Sequence, residues 1–189
     1  MKNKLTLISI QKLIKLIPVL KVQVINDDII LTIKTELLTD IIFFLKNNTL
    51  FQFYILTSIS GLDNPIKKQR FEIVYDLLSL RFNRRLRIKI HVNELQSVDS
   101  CERIYSSANW YECEVWDMYG IFFNNHSNLR RILTDYGFEG HPLRKDFPLS
   151  GYIEVRYSEN HKRVISESIE LSQEYRSFNF YGPWNNLSI

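Results

Sequence analysis

The sequence predicts an α+β fold: a mostly antiparallel sheet with flanking helices, followed by a signature helix and loop and an extended C-terminal tail. Three observations predict it. Residues 71–77 and 85–92 alternate apolar and charged side chains with a period of two, as half-buried strands do. Residues 35–48 repeat their apolar positions at helical spacing instead. From 108 to 150 both periods give way to a dense run of aromatics, acids and bases punctuated by Gly and Pro.

Taken in order, the chain opens with Lys2, Lys4, Lys12 and Lys15 among leucines and isoleucines. The lysines interrupt any signal-peptide core and no small-residue cleavage site follows, so the stretch reads as an amphipathic helix. Ile10, Leu13, Ile14 and Ile17 make its apolar face, and Pro18 ends it. Val22 and Val24, then Ile29, Leu31 and Ile33, alternate on either side of a turn at Asn26, Asp27 and Asp28, which predicts a hairpin. In 35–48 the buried stripe is Leu37, Leu38, Ile41, Ile42 and Leu45, with the helix starting near Thr35 or Glu36. Residues 51–60 read as a strand closed by a turn at 61–65.

The pair 71–77 and 85–92 carries a register argument. Opposed residues of an antiparallel pair have position numbers with a constant sum. Only an odd sum puts Phe71, Ile73, Tyr75 and Leu77 on the same face as Leu86, Ile88, Ile90 and Val92. The same choice sets Glu72 and Asp76 against the basic row Arg85, Arg87, Lys89 and His91. Residues 95–107 are polar and are expected to start a helix leading into the signature. Later, 152–157 and 162–165 flank a turn at 158–161 as a small hairpin. The expected organisation is an α+β domain with the signature over 1–150 and a C-terminal hairpin with tail over 151–189.

Composition narrows function. Hydrophobic content of 45%, charged content of 24% and a net charge of +3 are ordinary for a globular domain and too balanced to argue for nucleic acid. Cys101 and Cys113 lie in no Cys-x-x-Cys pattern, which favours free thiols over a disulfide or metal framework. The longest apolar run, 41–45, is far short of a membrane span.

The signature begins with a helix, since Trp110, Cys113, Trp116 with Asp117, and Gly120 recur at helical spacing. Gly120 stands where a helix end favours φ > 0. Thr134 to Gly137 and Glu139-Gly140 are turn chemistry, and Pro142 and Pro148 bracket Leu143 to Phe147 and deny it regular structure. A loop that is both aromatic and charged points to a binding surface.

These residues resemble the signature of the 30-kDa subunit family of respiratory complex I, the proton-translocating NADH:ubiquinone oxidoreductase, in its mitochondrially encoded subunit 9 type. The signature falls on Glu112, Glu114, Asp117, Met118, Tyr119, His126, Arg130, Ile132 and Leu133, and the run from Gly140 to Pro148 matches as well. Cys113 departs from the family's Arg, and Ser127 stands where Pro usually follows the His. The first departure removes a cation from between two glutamates, so Cys113→Arg is expected to be tolerated. The resemblance implies a non-catalytic core subunit of the peripheral, hydrophilic arm that supports assembly and electron transfer from NADH to ubiquinone. It implies no active site and no cofactor on this chain, with FMN and Fe–S clusters on partner subunits. Its implied partners are other peripheral-arm subunits, above all the quinone-site 49-kDa-type subunit. The implied location is peripheral, on the matrix side of the mitochondrial inner membrane or the cytoplasmic membrane face of a bacterium. The implied interface residues are Trp110, Glu112, Glu114, Asp117, His126, Arg130, Arg131, His141, Arg144, Lys145 and Asp146.

Other chemistries fit the residues less well. The four histidines have no ligand spacing. Glu112, Glu114 and Asp117 could serve as general acid and base, but no nucleophile, oxyanion-hole glycine motif or phosphate loop accompanies them. The competing function is a stand-alone RNA-binding module using the basic strand 84–91, with Tyr54 or Phe71 as stacking platform. The plainer reading is a solvated sheet face paired with Glu72 and Asp76. Finally, Phe178, Phe180, Tyr181 and Trp184 are too many large apolar groups for a free tail, lack any period, and read as a partner-wrapping segment.

Overall fold

The structure is a computed structural model that describes residues 13–25 and 28–176. It divides into two compact units, Met1–Phe147 and Pro148–Ile189.

In the first unit the described end of the N-terminal helix, 13–16, leads through Pro18 to strands β1 (Lys21–Ile25) and β2 (Asp28–Thr32). A 3-10 turn, Thr35–Leu37, precedes helix α1 (Leu38–Asn47), and strands β3 (Ile55–Asp63), β4 (Phe71–Ser79) and β5 (Arg84–Val92) follow. The five strands form one sheet in the order β1-β2-β5-β4-β3. All neighbours are antiparallel except β2 and β5, which run parallel because α1, β3 and β4 intervene as a crossover.

The register is the odd-sum one. Ile73 opposes Ile90, Tyr75 opposes Ile88 and Leu77 opposes Leu86, all buried. On the other face Asp76 opposes Arg87 and takes a bidentate pair from it, Nε–Oδ1 2.7 Å and Nη2–Oδ2 3.1 Å. Glu72 opposes His91 and pairs with Lys89 at 2.7 Å. One face is therefore apolar and joins α1 through Leu38, Ile41, Ile42 and Leu45 in a continuous core, while the other is charged and wet. The RNA-binding reading finds no support here: Arg87, Lys89 and His91 sit against acids, and of its two stacking platforms Phe71 is fully buried on the opposite face while Tyr54 is exposed.

Local expectations needed correction in four places. In the N-terminal helix Leu13 and Ile17 are buried but Ile14 is half exposed, so the apolar face is narrower than its sequence suggests; Ile10 lies outside the described residues, as do Asn26 and Asp27. Strand β3 begins at Ile55, because residues 48–52 form a turn with Gln52 at φ +47. Gly61 is no turn residue: it lies inside β3, and a Cβ there would stand 2.5 Å from the Tyr119 ring. Residues 95–107 start no helix. Instead β6 (Val98–Asp99) pairs in parallel with β7 (Phe123–Asn124), on either side of helix α2 (Ala108–Tyr119), and ties its two flanks together.

Helix α2 lies along β3, the sheet edge. Tyr111 donates its hydroxyl to the Thr57 carbonyl at 2.9 Å, Ser107 to Leu56 at 3.4 Å, and Tyr105 to Phe53. It thus covers an edge that would otherwise be open. The described part of the second unit is an antiparallel hairpin, β8 (Ile153–Ser158) with β9 (Arg163–Ser168), pinned across strands by Arg156 and Glu167. The expected hairpin is present. Phe178, Phe180, Tyr181 and Trp184 lie outside the described residues.

Candidate signature site

Helix α2 directs its residues two ways. Glu112, Cys113, Val115 and Asp117 are buried, whereas Trp110 and Glu114 face solvent. The two glutamates two positions apart do point to different sides, as helical spacing requires.

Glu112 is fully buried. Its Oε2 accepts the Ser100 hydroxyl at 2.5 Å and its Oε1 the Cys101 N–H at 2.7 Å. Burial pushes its carboxyl above the ordinary range, and these donors, with His126 3.8 Å away, only partly offset that. The His126 side chain is buried beside it. Asn128 N–H points at His126 Nδ1 at 3.1 Å, which makes Nδ1 the acceptor and leaves Nε2 to donate to the Asn109 carbonyl at 3.2 Å. Ser127, the departure from the family pattern, has its own use. Its N–H and hydroxyl donate to Glu102 at 2.9 and 2.6 Å, and with the Asn109 amide they hold the Glu102 carboxyl down at about 2.

Cys113 corrects the expectation attached to it. It is 2% exposed, with Sγ 3.6 Å from the Asn128 carbonyl and 3.9 Å from His126 Nε2. An arginine at 113 therefore enters closed space and does not bridge two surface glutamates.

Asp117 is the second anchor, five residues on along the helix. Its Oδ2 accepts the backbone N–H groups of Ile132, Leu133 and Thr134 at 3.2, 2.8 and 3.0 Å, and its Oδ1 accepts the Thr134 hydroxyl at 2.7 Å. Burial raises its carboxyl, but these four donors outweigh burial and hold it below the ordinary range. Arg131 stands 3.5 Å from Oδ1 and donates to the Gly140 carbonyl at 2.8 Å. His141 Nδ1 donates to the Asp117 carbonyl at 3.0 Å, and burial first, with the Arg144 and Arg131 charges, lowers its pKa.

Helix α2 ends at Gly120, which is left-handed (φ +78) and donates to Trp116 at 2.8 Å. A Cβ there would lie 2.5 Å from His141 Nε2 and 2.7 Å from Arg144 Nη2, so conformation and space both require glycine. Arg144 donates from Nε to the Tyr119 carbonyl at 2.6 Å and from Nη1 to Glu94 at 2.7 Å. Its guanidinium lies over one side of the Phe71 ring at 5.2 Å, and Arg70 is at the same distance from that ring. Arg70 grips Asp63 through two bonds of 2.7 and 2.9 Å and reaches Asp146 at 2.9 Å, while Lys145 N–H donates to Asp63 at 2.8 Å. Mutual pairing lowers the Asp63 and Asp146 carboxyls and raises Arg70. The side chains of Arg130 and Lys145 face solvent.

The structure thus gathers Glu112 with His126, Asp117 with Arg131 and His141, and Arg144 and Asp146 with Arg70. Sequence reasoning missed Asp63, Arg70, Glu94, Ser100 and Glu102. Their partners lie up to 82 positions away, so no local period could reveal them. Chemically, the acids hold backbone and hydroxyl donors in place. Among the described residues no three His, Cys, Asp or Glu side chains gather where a metal ion could sit.

Residues 31–153 match the profile of the family described as respiratory-chain NADH dehydrogenase, 30 Kd subunit. The chain is similar to NADH-ubiquinone oxidoreductase subunit 9 of Reclinomonas americana, 57% identical over 77% of this chain and 71% of that one. It is 55% identical to NADH dehydrogenase [ubiquinone] iron-sulfur protein 3 of Patellifolia webbiana, over 79% of this chain and 78% of the relative. The Solanum tuberosum protein of the same name is 53% identical over 82% and 81%.

Proposed function

Because this chain belongs to the respiratory-chain NADH dehydrogenase 30 Kd subunit family, we propose that it is a non-catalytic scaffold subunit of the peripheral arm of that enzyme. On this reading it holds neighbouring electron-carrying subunits in place for transfer from NADH to ubiquinone, with the quinone-site 49-kDa-type subunit as principal neighbour. Its place is the matrix face of the mitochondrial inner membrane; no described helix is long and apolar enough to cross a membrane.

The observation that carries the reading is how the signature acids are used. The Asp117 carboxylate collects four donors from one loop segment, and Glu112 collects the hydroxyl and N–H that precede its own helix. Such groups build a rigid loop. That loop presents Leu133, Tyr136 and Leu143 largely to solvent, as a surface awaiting a partner does. The hairpin adds a second such face: Ile153, Val155, Tyr157 and Val164 are each more than half exposed on a two-stranded unit, which is marginal alone.

Two of the relatives carry iron-sulfur protein in their names. A cluster takes a set of cysteine thiolates, and this sequence has two cysteines. Burial pushes the Cys101 thiol far up, away from the thiolate a ligand must be. The donor set does not fit a cluster, and we place the clusters and FMN on partner subunits. The test is Leu133→Asp with Tyr136→Asp. Incorporation into the assembly should fall while the chain's own stability shifts by no more than about 0.5 kcal/mol, as for surface changes. Normal incorporation would remove the loop from the interface.

A further inference from the structure

The β4–β5 register brings two turns to one end of the sheet, since Phe71 opposes Val92. One turn is closed by Asn64, whose Oδ1 accepts Ile66 N–H at 3.3 Å and whose carbonyl accepts Lys67 N–H at 3.2 Å. The other is closed by Asn93 and Gln96, each donating its N–H to the other residue. Neither belongs to the signature loop. Each lifts one aliphatic side chain into water: Ile66 is 95% exposed and Leu95 is 99% exposed. An open groove of about 660 Å³ is lined by Lys67, Lys68, Gln69, His91 and Asn93. That lining includes no carboxylate. Glu72 is mostly buried; it pairs with Lys89 at 2.7 Å and stands farther off, 3.9 Å from Lys67 and 3.7 Å from His91, which leaves Lys68 outside these pairs. A neighbouring groove shares Gln69 and His91 and adds Lys34, with Glu36 its one acid.

We propose that this groove docks a segment of another subunit in which carboxylates alternate with apolar residues. The carboxylates would meet Lys67 and Lys68, and the apolar residues would cover Ile66 and Leu95. The proposal rests on the assembly reading above and deepens it with a second surface. Membership of a multi-subunit enzyme family favours a protein segment over an anionic membrane.

The test uses the assembled enzyme, with Leu95→p-benzoylphenylalanine as a photocrosslinker. A protein cross-link to an Asp- or Glu-bearing segment is expected. Its yield should fall about tenfold with Lys67→Glu and Lys68→Glu together, and survive Lys67→Arg with Lys68→Arg. Cross-linking to lipid, binding of the chain to phosphatidylcholine–cardiolipin vesicles, or a yield indifferent to charge reversal would overturn it. Co-purification with the assembly but no cross-link would overturn the groove alone. A chain that purifies by itself would overturn the assembly reading and the groove with it.

Discussion

Asp117 and Cys113 show how four positions along one helix separate two kinds of buried group. Asp117 is buried but surrounded by donors, so Asp117→Asn, whose amide nitrogen cannot accept them all, should cost about 2–4 kcal/mol. Its pKa direction fixes the pH dependence. A carboxyl lowered on folding contributes stability that is full above its unfolded value and is lost as pH falls below that value toward the folded one. Glu112 has the opposite sign: its raised carboxyl weakens the fold as pH climbs from the unfolded value through the folded one. Acid titration of melting should therefore be flatter in Asp117→Asn than in the parent chain, and a parallel curve would contradict the assignment. Cys113 offers little room, so Cys113→Arg should lower stability by about 1–3 kcal/mol, read by denaturant midpoint. Helical spacing could place Asp117 and Cys113 on adjoining faces. It could not say which face the 126–134 segment would close.

The facing of the β4–β5 pair was legible, since two properties of the same strands, apolar period and charge, demanded an odd-sum register, although the strands run on to Ser79 and back to Arg84. Asp76→Lys should set like charges beside Arg87 and cost about 0.5–1 kcal/mol, more at low salt, and an unchanged melting temperature would count against the pair's importance. Strand β3 was legible in kind but not in extent. Its Gly61 reads locally as a turn, yet its reason is the Tyr119 ring from a helix almost 60 positions later. Gly61→Ala should push that ring away and cost about 1–3 kcal/mol in a thermal melt. The 95–107 segment failed for a related reason: β6 exists only because β7 pairs with it from the far side of α2. Elements defined by their own period were readable, and elements defined by a distant partner were not.

Across the molecule, Asp63, Arg70, Glu94, Arg144 and Asp146 tie the 140–147 loop to the β3–β4 end of the sheet. Asp117 ties the 132–134 segment to α2, and Glu112 ties down the 100–101 segment that precedes it. The family signature could be read as a set of residues, but their roles depend on this three-dimensional fastening. If the fastening is structural, the signature acids govern how much enzyme assembles and leave its turnover alone. The direct measurement is NADH:ubiquinone oxidoreductase turnover per assembled flavin in Asp117→Asn. We expect less assembled enzyme, with turnover per flavin within about twofold of the parent. Full assembly with turnover reduced about 10²–10⁴-fold, the size of a lost general acid or base, would contradict a scaffold role and make Asp117 a catalytic residue.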